Sequence, residues 1–162
     1  MCSIQVSSKI YGFKHACDPA EWHRYSGFAK GRIARKTMAE PSRPRSFPSL
    51  TNYQDKYILV IGGYYASNCL TSVDMYNVKT NRWQAAPEIT EAREEHSSCC
   101  LENFTFIFGG NNDSQHLNSF ERIDMDALTA GDQSAQWELL TVANQQDPAP
   151  GSDVAMAPIG DN

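Results

Sequence analysis

The sequence predicts an all-β protein that is built from repeated units of four short antiparallel strands. From residue 47 onward, short runs rich in Val, Ile, Phe and Tyr alternate with stretches of Gly, Asn, Asp, Ser and Pro. This is the pattern of short strands joined by turns. Two of the apolar runs end in a double glycine, and the two glycine pairs are 47 residues apart. The strand pattern is therefore repeated within the chain.

The two units correspond well beyond the glycines. At the same offset of 47 residues, Ser72 corresponds to Ser119 and Asp74 to Glu121. Each unit closes on a tryptophan, Trp83 or Trp137, and these two are 54 residues apart. The second unit must therefore hold seven extra residues, which we assign to an inserted polar loop over 128–136.

Each unit offers four strand candidates. In the first unit they lie near 47–53, 57–62, 72–78 and 83–85, and in the second near 96–101, 104–109, 119–125 and 137–141. Four antiparallel strands in every ~40–50 residues predict the blades of a β-propeller. We expect a partial propeller with blade 1 at about 45–86, blade 2 at about 94–142 and the start of a third blade at about 150–162.

Residues 1–44 are predicted to be a short, mostly irregular segment outside these blades. The stretch 18–21 reads Asp-Pro-Ala-Glu, which is typical of a helix start, so we expect a short helix near 19–26. Residues 1–50 hold nine Lys or Arg and three Asp or Glu, whereas the rest hold five and sixteen. Only this basic segment could attract nucleic acid, and its run at 30–36 is interpreted as a solvated linker rather than a nucleic-acid patch or nuclear signal.

The motif residues of the two units resemble those of kelch repeats. They are Gly62, Gly63, Tyr76 and Trp83 in the first unit, and Gly109, Gly110 and Trp137 in the second, where Ile123 replaces the usual tyrosine. The resemblance covers roughly residues 45–160. Independently of it, a double glycine permits positive φ and close chain approach, and large rings suit the wedge between neighbouring blades.

The resemblance implies a non-catalytic module that binds protein partners. Two alternatives stay open: a fragment of a kelch-type enzyme, such as a copper oxidase or a sugar-processing enzyme, and the substrate-recognition part of a ubiquitin-ligase adaptor. A copper centre needs a convergent ligand set, and the repeat region holds only His96 and His116. We therefore predict no enzymatic activity and no cofactor.

Cysteine usage and hydropathy suggest a cytoplasmic protein. The five cysteines, at positions 2, 17, 69, 99 and 100, are an odd number with no export signal before them, so reduced thiols are expected. No apolar run approaches the ~20 residues of a membrane span. His15, Cys17 and His23 lack a metal-site spacing, so no metal is predicted.

Strand direction predicts where a partner would bind. Because strands alternate in direction, the loops between strands two and three should share a face with the connections between blades. These loops are 64–68 and 111–116, and the connections are 86–95 and 145–153. Loops on a rigid scaffold often bind partners. We expect this face to bind protein, with a preference for basic or polar peptide, and unpaired blade edges to favour self-association. The candidate residues are Tyr64, Tyr65, Glu91, Arg93, Glu94, Asn112, Asp113 and His116.

Overall fold

The computed structural model of the chain describes residues 2–6, 9–13, 22–26, 34–141, 151 and 155–157. In these residues, the strands form three four-stranded antiparallel sheets and one two-stranded hairpin, and there is one short helix. The N-terminal sheet contains β1 (Cys2–Val6), β2 (Lys9–Phe13), β3 (Trp22–Ser26) and β4 (Ala34–Thr37). The second contains β5 (Ser49–Tyr53), β6 (Tyr57–Ile61), β9 (Val73–Asn77) and β10 (Arg82–Ala86). The third contains β11 (Ser97–Leu101), β12 (Phe104–Phe108), β13 (Phe120–Asp124) and β14 (Glu138–Leu140).

The second and third sheets are the two predicted units, and the all-β fold class is confirmed. In each of these two sheets the four strands lie side by side in the order in which they occur in the chain. Equivalent positions pair in the same way, since Ser49 faces Ile61 in one sheet and Ser97 faces Phe108 in the other. Equivalent residues are therefore 48 positions apart in the first strands, β5 and β11, and 47 positions apart in the second strands, β6 and β12.

The N-terminal part differs from the prediction. The described residues up to Thr37 form a four-stranded sheet rather than an irregular segment, residues 38–44 have no regular secondary structure, and residues 22–26 are strand β3 rather than helix. Residues 19–21 lie outside the described residues. Strand β3 pairs with β2 on one side and β4 on the other. Those ladders satisfy its backbone polar groups, so tertiary pairing overrides the local helix-start signal.

Two elements were not predicted. The hairpin of β7 (Tyr64–Tyr65) and β8 (Asn68–Cys69) covers the expected loop 64–68 and one residue beyond it. The helix α1 (Met125–Ala130) begins at the last residue of the predicted strand 119–125 and extends into the predicted insertion. Asp124 caps α1 by accepting hydrogen bonds from two backbone N–H groups, and Gly131 ends it in the left-handed conformation.

The second and third sheets pack face to face, as predicted. One buried cluster joins Leu59, Ile61 and Met75 of the second sheet to Ile107 and Trp137 of the third. On the opposite face of the second sheet, Ile58, Val60 and Tyr76 pack with Met38, which follows β4. The first strands of the sheets are also neighbours, because β5 contacts both β1 and β11. This stacking of sheets about their first strands is the arrangement of propeller blades.

Candidate functional site

The loops that join strands two and three, and the segments that join successive sheets, emerge on one face of the second and third sheets. The antiparallel ladders require this, because β5 begins where β6 ends and β9 begins. We call the surface formed by residues 38–48, 62–72, 87–96 and 109–119 the connector face. The opposite surface, formed by the short turns 54–56, 78–81 and 102–103, is the turn face.

Short backbone hydrogen bonds hold the connector face together. Gly63 N donates to Arg93 O at 2.8 Å, and Arg93 N donates to Leu70 O at 3.2 Å. In the next unit, Gly110 N donates to Gly151 O at 2.8 Å, and Gly151 N donates to Leu117 O at 3.2 Å. Gly151 thus occupies, relative to the third sheet, the position that Arg93 occupies relative to the second.

The double glycines are needed for this close approach. A Cβ atom on Gly62 would lie 2.5 Å from Arg93 O, and one on Gly110 would lie 2.4 Å from Glu94 O. Both glycines have positive φ, +54° and +94°. Side chains other than hydrogen are therefore excluded by sterics as well as by backbone conformation. The role inferred from the sequence for these glycines agrees with their geometry.

Arg93 is a buried arginine that binds groups inside the protein, and it has an equivalent in the first unit. Its side chain is fully buried, with Nη1 donating to Gly109 O at 2.9 Å and Nη2 to Glu121 Oε1 at 2.7 Å. In the first unit, Arg45 makes the same bonds to Gly62 O at 2.9 Å and Asp74 Oδ2 at 2.5 Å. The sequence-based assignment of Arg93 to the partner-binding surface is thus wrong, since its guanidinium has no access to a partner.

The tryptophans lie where one sheet receives the connection from the sheet before it. Trp83 Nε1 donates to Ala39 O at 2.7 Å, and Trp137 Nε1 donates to Pro87 O at 3.0 Å. The acceptors are 48 residues apart, as expected for equivalent positions. The Tyr76 ring lies against Trp83, with ring centroids 5.0 Å apart. These aromatic side chains fill the space between neighbouring sheets and fix the connecting segment by a hydrogen bond.

Glu91 and Asn112 join two connector segments. Asn112 Nδ2 donates to Glu91 Oε1 at 2.8 Å. The other Glu91 oxygen lies 3.8 Å from Arg93 Nη2. The pair therefore links the connection before β11 to the loop after β12, and both side chains keep partial exposure.

Cys69, Glu94 and Asp113 form the closest group of potential metal ligands in the described part of the chain. One ligand atom of each lies within 4.8 Å of the others. Asp113 Oδ2 accepts a hydrogen bond from Cys69 N at 2.8 Å, and Cys69 Sγ donates to Asn111 O at 3.2 Å. Burial, then the Asp113 carboxylate, raise the pKa of the Cys69 thiol to about 12. Cys69 is thus joined to Asp113 and Asn111 by hydrogen bonds that hold the β7–β8 hairpin against the loop after β12.

The remaining predicted residues border this cluster. Tyr64 pairs with Cys69 across the β7–β8 hairpin, and the backbone of His116 bridges to Asn111. Tyr65 and His116 are exposed, whereas Tyr64 is half-buried. The structure thus brings seven of the eight predicted residues to one surface, all except the buried Arg93.

Sequence reasoning missed Phe47 and Glu95 on this surface. Glu95 N donates to Phe47 O at 3.1 Å, and both residues have positive φ. They occupy equivalent places in successive units, 48 residues apart. Both residues could have been predicted from the sequence, because Glu95 directly follows the predicted site residue Glu94 and Phe47 occupies the equivalent position of the first unit.

His96 is buried beside the same segments. Its Nε2 lies 2.7 Å from Ser49 Oγ, and Nδ1 has no hydrogen-bond partner among the described residues. Burial, and secondarily the positive charge of Arg93, lower the pKa of His96 to about 3. The imidazole is therefore neutral at physiological pH and serves as an internal hydrogen-bonding group between the second and third sheets.

Comparison with known proteins agrees with this geometry. Residues 51–89 match the kelch motif, a range that runs from β5 through Trp83 to the connection after β10. A putative F-box/kelch-repeat protein of Arabidopsis thaliana is 26% identical over 119 residues, which is 74% of this chain. The chain spans 38% of the length of that relative. Together with the repeated sheets and their motif residues, these matches show that the chain contains a kelch motif and is similar to kelch-repeat proteins.

The described residues include no helix of the length and apolar character that a membrane crossing requires.

Proposed function

We propose that this chain is a non-catalytic protein-interaction module that binds its partner through the connector face. The observation that carries the proposal is the convergence of two kinds of kelch-repeat loop on one surface. There they are fixed by backbone bonds and by buried arginines, so the surface needs little reordering on binding. Support also comes from the kelch motif at 51–89, since kelch domains commonly serve as interaction scaffolds.

Several finer features belong to the same proposal. We place the module in the cytoplasm, consistent with the expectation of reduced thiols at Cys69, Cys99 and Cys100.

We also propose that the chain self-associates through unpaired sheet edges when no partner is bound. Because the matched relative is much longer than this chain, a role as the recognition part of a larger F-box/kelch protein is a second candidate.

The test is capture of a partner from cell extract with variants of the two faces. The connector-face variant carries Tyr65→Ala and His116→Ala, both at exposed side chains. The matched control carries Glu102→Gln on the turn face and Leu101→Ala directly beside it. Leu101 is 42% exposed, close to the 44% of Tyr65. A protein identified with the native chain is then purified, and its affinity for each variant is measured directly.

The proposal expects the connector-face variant to lose most of the affinity for the purified partner and the turn-face control to keep it. Equal affinity of both variants would place binding elsewhere. Self-association is tested separately by light scattering over a range of protein concentration, where a constant monomer mass would contradict it. Co-purification of ubiquitin-ligase subunits with the native chain would support the larger-protein candidate.

A further inference from the structure

A closed circuit of hydrogen bonds, all but one of them between backbone groups, surrounds part of the connector face. Ser46 and Tyr64 exchange two backbone hydrogen bonds of 2.8 Å, and Glu94 and Asn111 exchange two of 3.0 Å. Asp113 joins the β7–β8 hairpin through Cys69 N, and Glu95 N donates to Phe47 O. The hairpin, the connection before β11 and the loop after β12 are thereby fixed relative to one another. We call the surface that they enclose the acidic patch; it comprises Phe47, Tyr64, Tyr65, Glu94, Glu95 and Asp113.

The acidic patch carries negative charge that the described residues do not neutralise. None of Glu94, Glu95 and Asp113 forms an ion pair with a cation in the described part of the chain. The nearby cation Arg93 is buried and bonded to Glu121. The pKa of Glu94 is raised by burial first and then by the charges of Glu95 and Asp113. Ligand atoms of Glu94 and Asp113 lie within 4.8 Å of each other, and Glu95 follows Glu94 directly, so a cation at this point would relieve repulsion among the carboxylates.

Exposed aromatic side chains belong to the same connected segments as these carboxylates. Tyr65 is 44% exposed at the tip of the hairpin whose Cys69 N is bound by Asp113, and Phe47 is 44% exposed and accepts a backbone hydrogen bond from Glu95. Aromatic rings next to carboxylates suit the side chains of Lys and Arg, which bury their apolar stems on rings and direct their charged ends to acidic groups. Neutral or acidic side chains would gain only the contact with the rings.

We propose that the acidic patch binds a basic segment of a protein partner, in which Lys or Arg side chains contact Glu94, Glu95 and Asp113 beside the Tyr65 ring. This proposal rests on the protein-binding function assigned to the connector face and names the chemistry of its partner. The occupant is inferred from charge complementarity, because the carboxylates of the patch lie on segments held by hydrogen bonds and form no ion pair with a cation of the described residues.

The direct test measures binding of a short fluorescent peptide of alternating Lys and Ser by fluorescence anisotropy. A peptide of alternating Glu and Ser serves as the charge-reversed control. The patch variants are Glu95→Gln and Asp113→Asn, which preserve side-chain shape, and Tyr65→Ala. The matched control is Glu102→Gln on the turn face, because it removes one exposed carboxylate and changes the net charge of −5 by the same amount.

The proposal predicts that the basic peptide binds and the acidic one does not. Glu95→Gln and Asp113→Asn should each weaken the affinity about two- to fivefold, which is the range that exposed ion pairs contribute. Tyr65→Ala should weaken it through loss of the contact with the ring. Added salt should weaken binding further, because the charges are exposed. Glu102→Gln should leave the affinity within the error of the native value. Equal weakening by the patch variants and by Glu102→Gln would show only general attraction to an acidic protein and would overturn the proposal.

Failure of this inference can be distinguished from failure of the proposed function. The purified partner from the capture experiment is measured against the same variants. Loss of partner affinity in the Tyr65→Ala and His116→Ala double variant, with no effect of Glu95→Gln or Asp113→Asn, would overturn the acidic patch as the recognition element. The connector face would in that case remain the binding surface. Equal partner affinity of all variants would overturn both.

Discussion

Arg93 Nη2 lies 2.7 Å from Glu121 Oε1, and neither side chain has exposed surface. The same pair recurs in the preceding unit as Arg45 and Asp74. In both units the arginine belongs to the segment that enters the sheet, and the carboxylate belongs to the third strand of a sheet. The guanidinium also binds the carbonyl of the first glycine of the double-glycine pair, so one side chain fixes three segments of the connector face.

Removal of Arg93 should strongly destabilise the chain. Arg93→Ala leaves the Glu121 carboxylate buried without its cation, and breaking a buried ion pair in this way costs about 3–5 kcal/mol. Urea unfolding of the native chain and the variant measures the difference. Arg122→Ala is the control, because Arg122 pairs with Glu138 at an exposed site and should cost below about 1 kcal/mol. Similar losses of unfolding free energy in the two variants would contradict a stabilising role of the buried Arg93–Glu121 pair.

Substitution of Gly110 should cost much more than substitution of Gly131. Both have positive φ, but a Cβ on Gly110 would lie 2.4 Å from Glu94 O, whereas one on Gly131 would meet nothing within 4 Å. Gly131→Ala should therefore cost about 1 kcal/mol for backbone conformation alone. Gly110→Ala should cost a further ~1–3 kcal/mol from steric overlap. Chemical unfolding of both variants tests this, and equal losses would mean that the connection does not approach the glycine.

Loss of Trp137 should destabilise the chain by about 3–5 kcal/mol, the usual range for a buried tryptophan replaced by alanine. Its ring is buried in the cluster shared by the second and third sheets. Trp83 is half-buried, so Trp83→Ala should cost less than Trp137→Ala. The loss of stability in each variant is measured from the shift of its urea unfolding midpoint relative to the native chain, for unfolding curves of equal slope. A loss below about 1 kcal/mol for Trp137→Ala would show that the ring is not part of the contact between sheets.

Stability should fall as pH drops below about 6.5, the pKa of an unperturbed histidine. The folded chain holds His96 neutral with its pKa lowered to about 3, so the unfolded chain binds more protons between these values. The contribution of His96 is complete above the unfolded pKa and is lost towards pH 3, with a limiting slope of about 1.4 kcal/mol per pH unit.

The contribution of His96 is isolated by comparing variants. His96→Asn should reduce the pH slope of the unfolding free energy between pH 6 and 4, whatever its effect on stability at neutral pH. An unchanged slope in His96→Asn would contradict the assignment of a buried neutral imidazole.

The sequence was sufficient for the repeated sheets because their strands carry a strong local pattern. The run Tyr57–Ile61 is continuously apolar, and the structure buries both of its faces, so no alternative to a central strand fits. The N-terminal sheet was missed because β3 has no comparable pattern and depends on pairing with β2 and β4. Local signals therefore identified the core strands but not strands that are defined by their neighbours.

The connector face was predictable from strand direction alone, but the exposure of its side chains was not. Strand alternation placed Glu91, Glu94 and Asn112 correctly near one another. It could not show that Arg93, two residues from Glu91, points into the protein, because burial of an arginine depends on a carboxylate and carbonyls from distant segments. The internal repeat does indicate a shared structural role, because an arginine and an acidic residue occur at equivalent positions of the two units, as Arg45 with Asp74 and as Arg93 with Glu121.

The most direct test of the account is hydrogen–deuterium exchange of the chain with and without its purified partner. The account predicts that partner binding slows amide exchange in the connector-face segments 62–70, 91–95 and 110–116, and leaves the turn-face segments 54–56, 78–81 and 102–103 unchanged. Protection confined to the turn face, or to the outer strands β10 and β14, would contradict the central claim that the connector face is the binding surface.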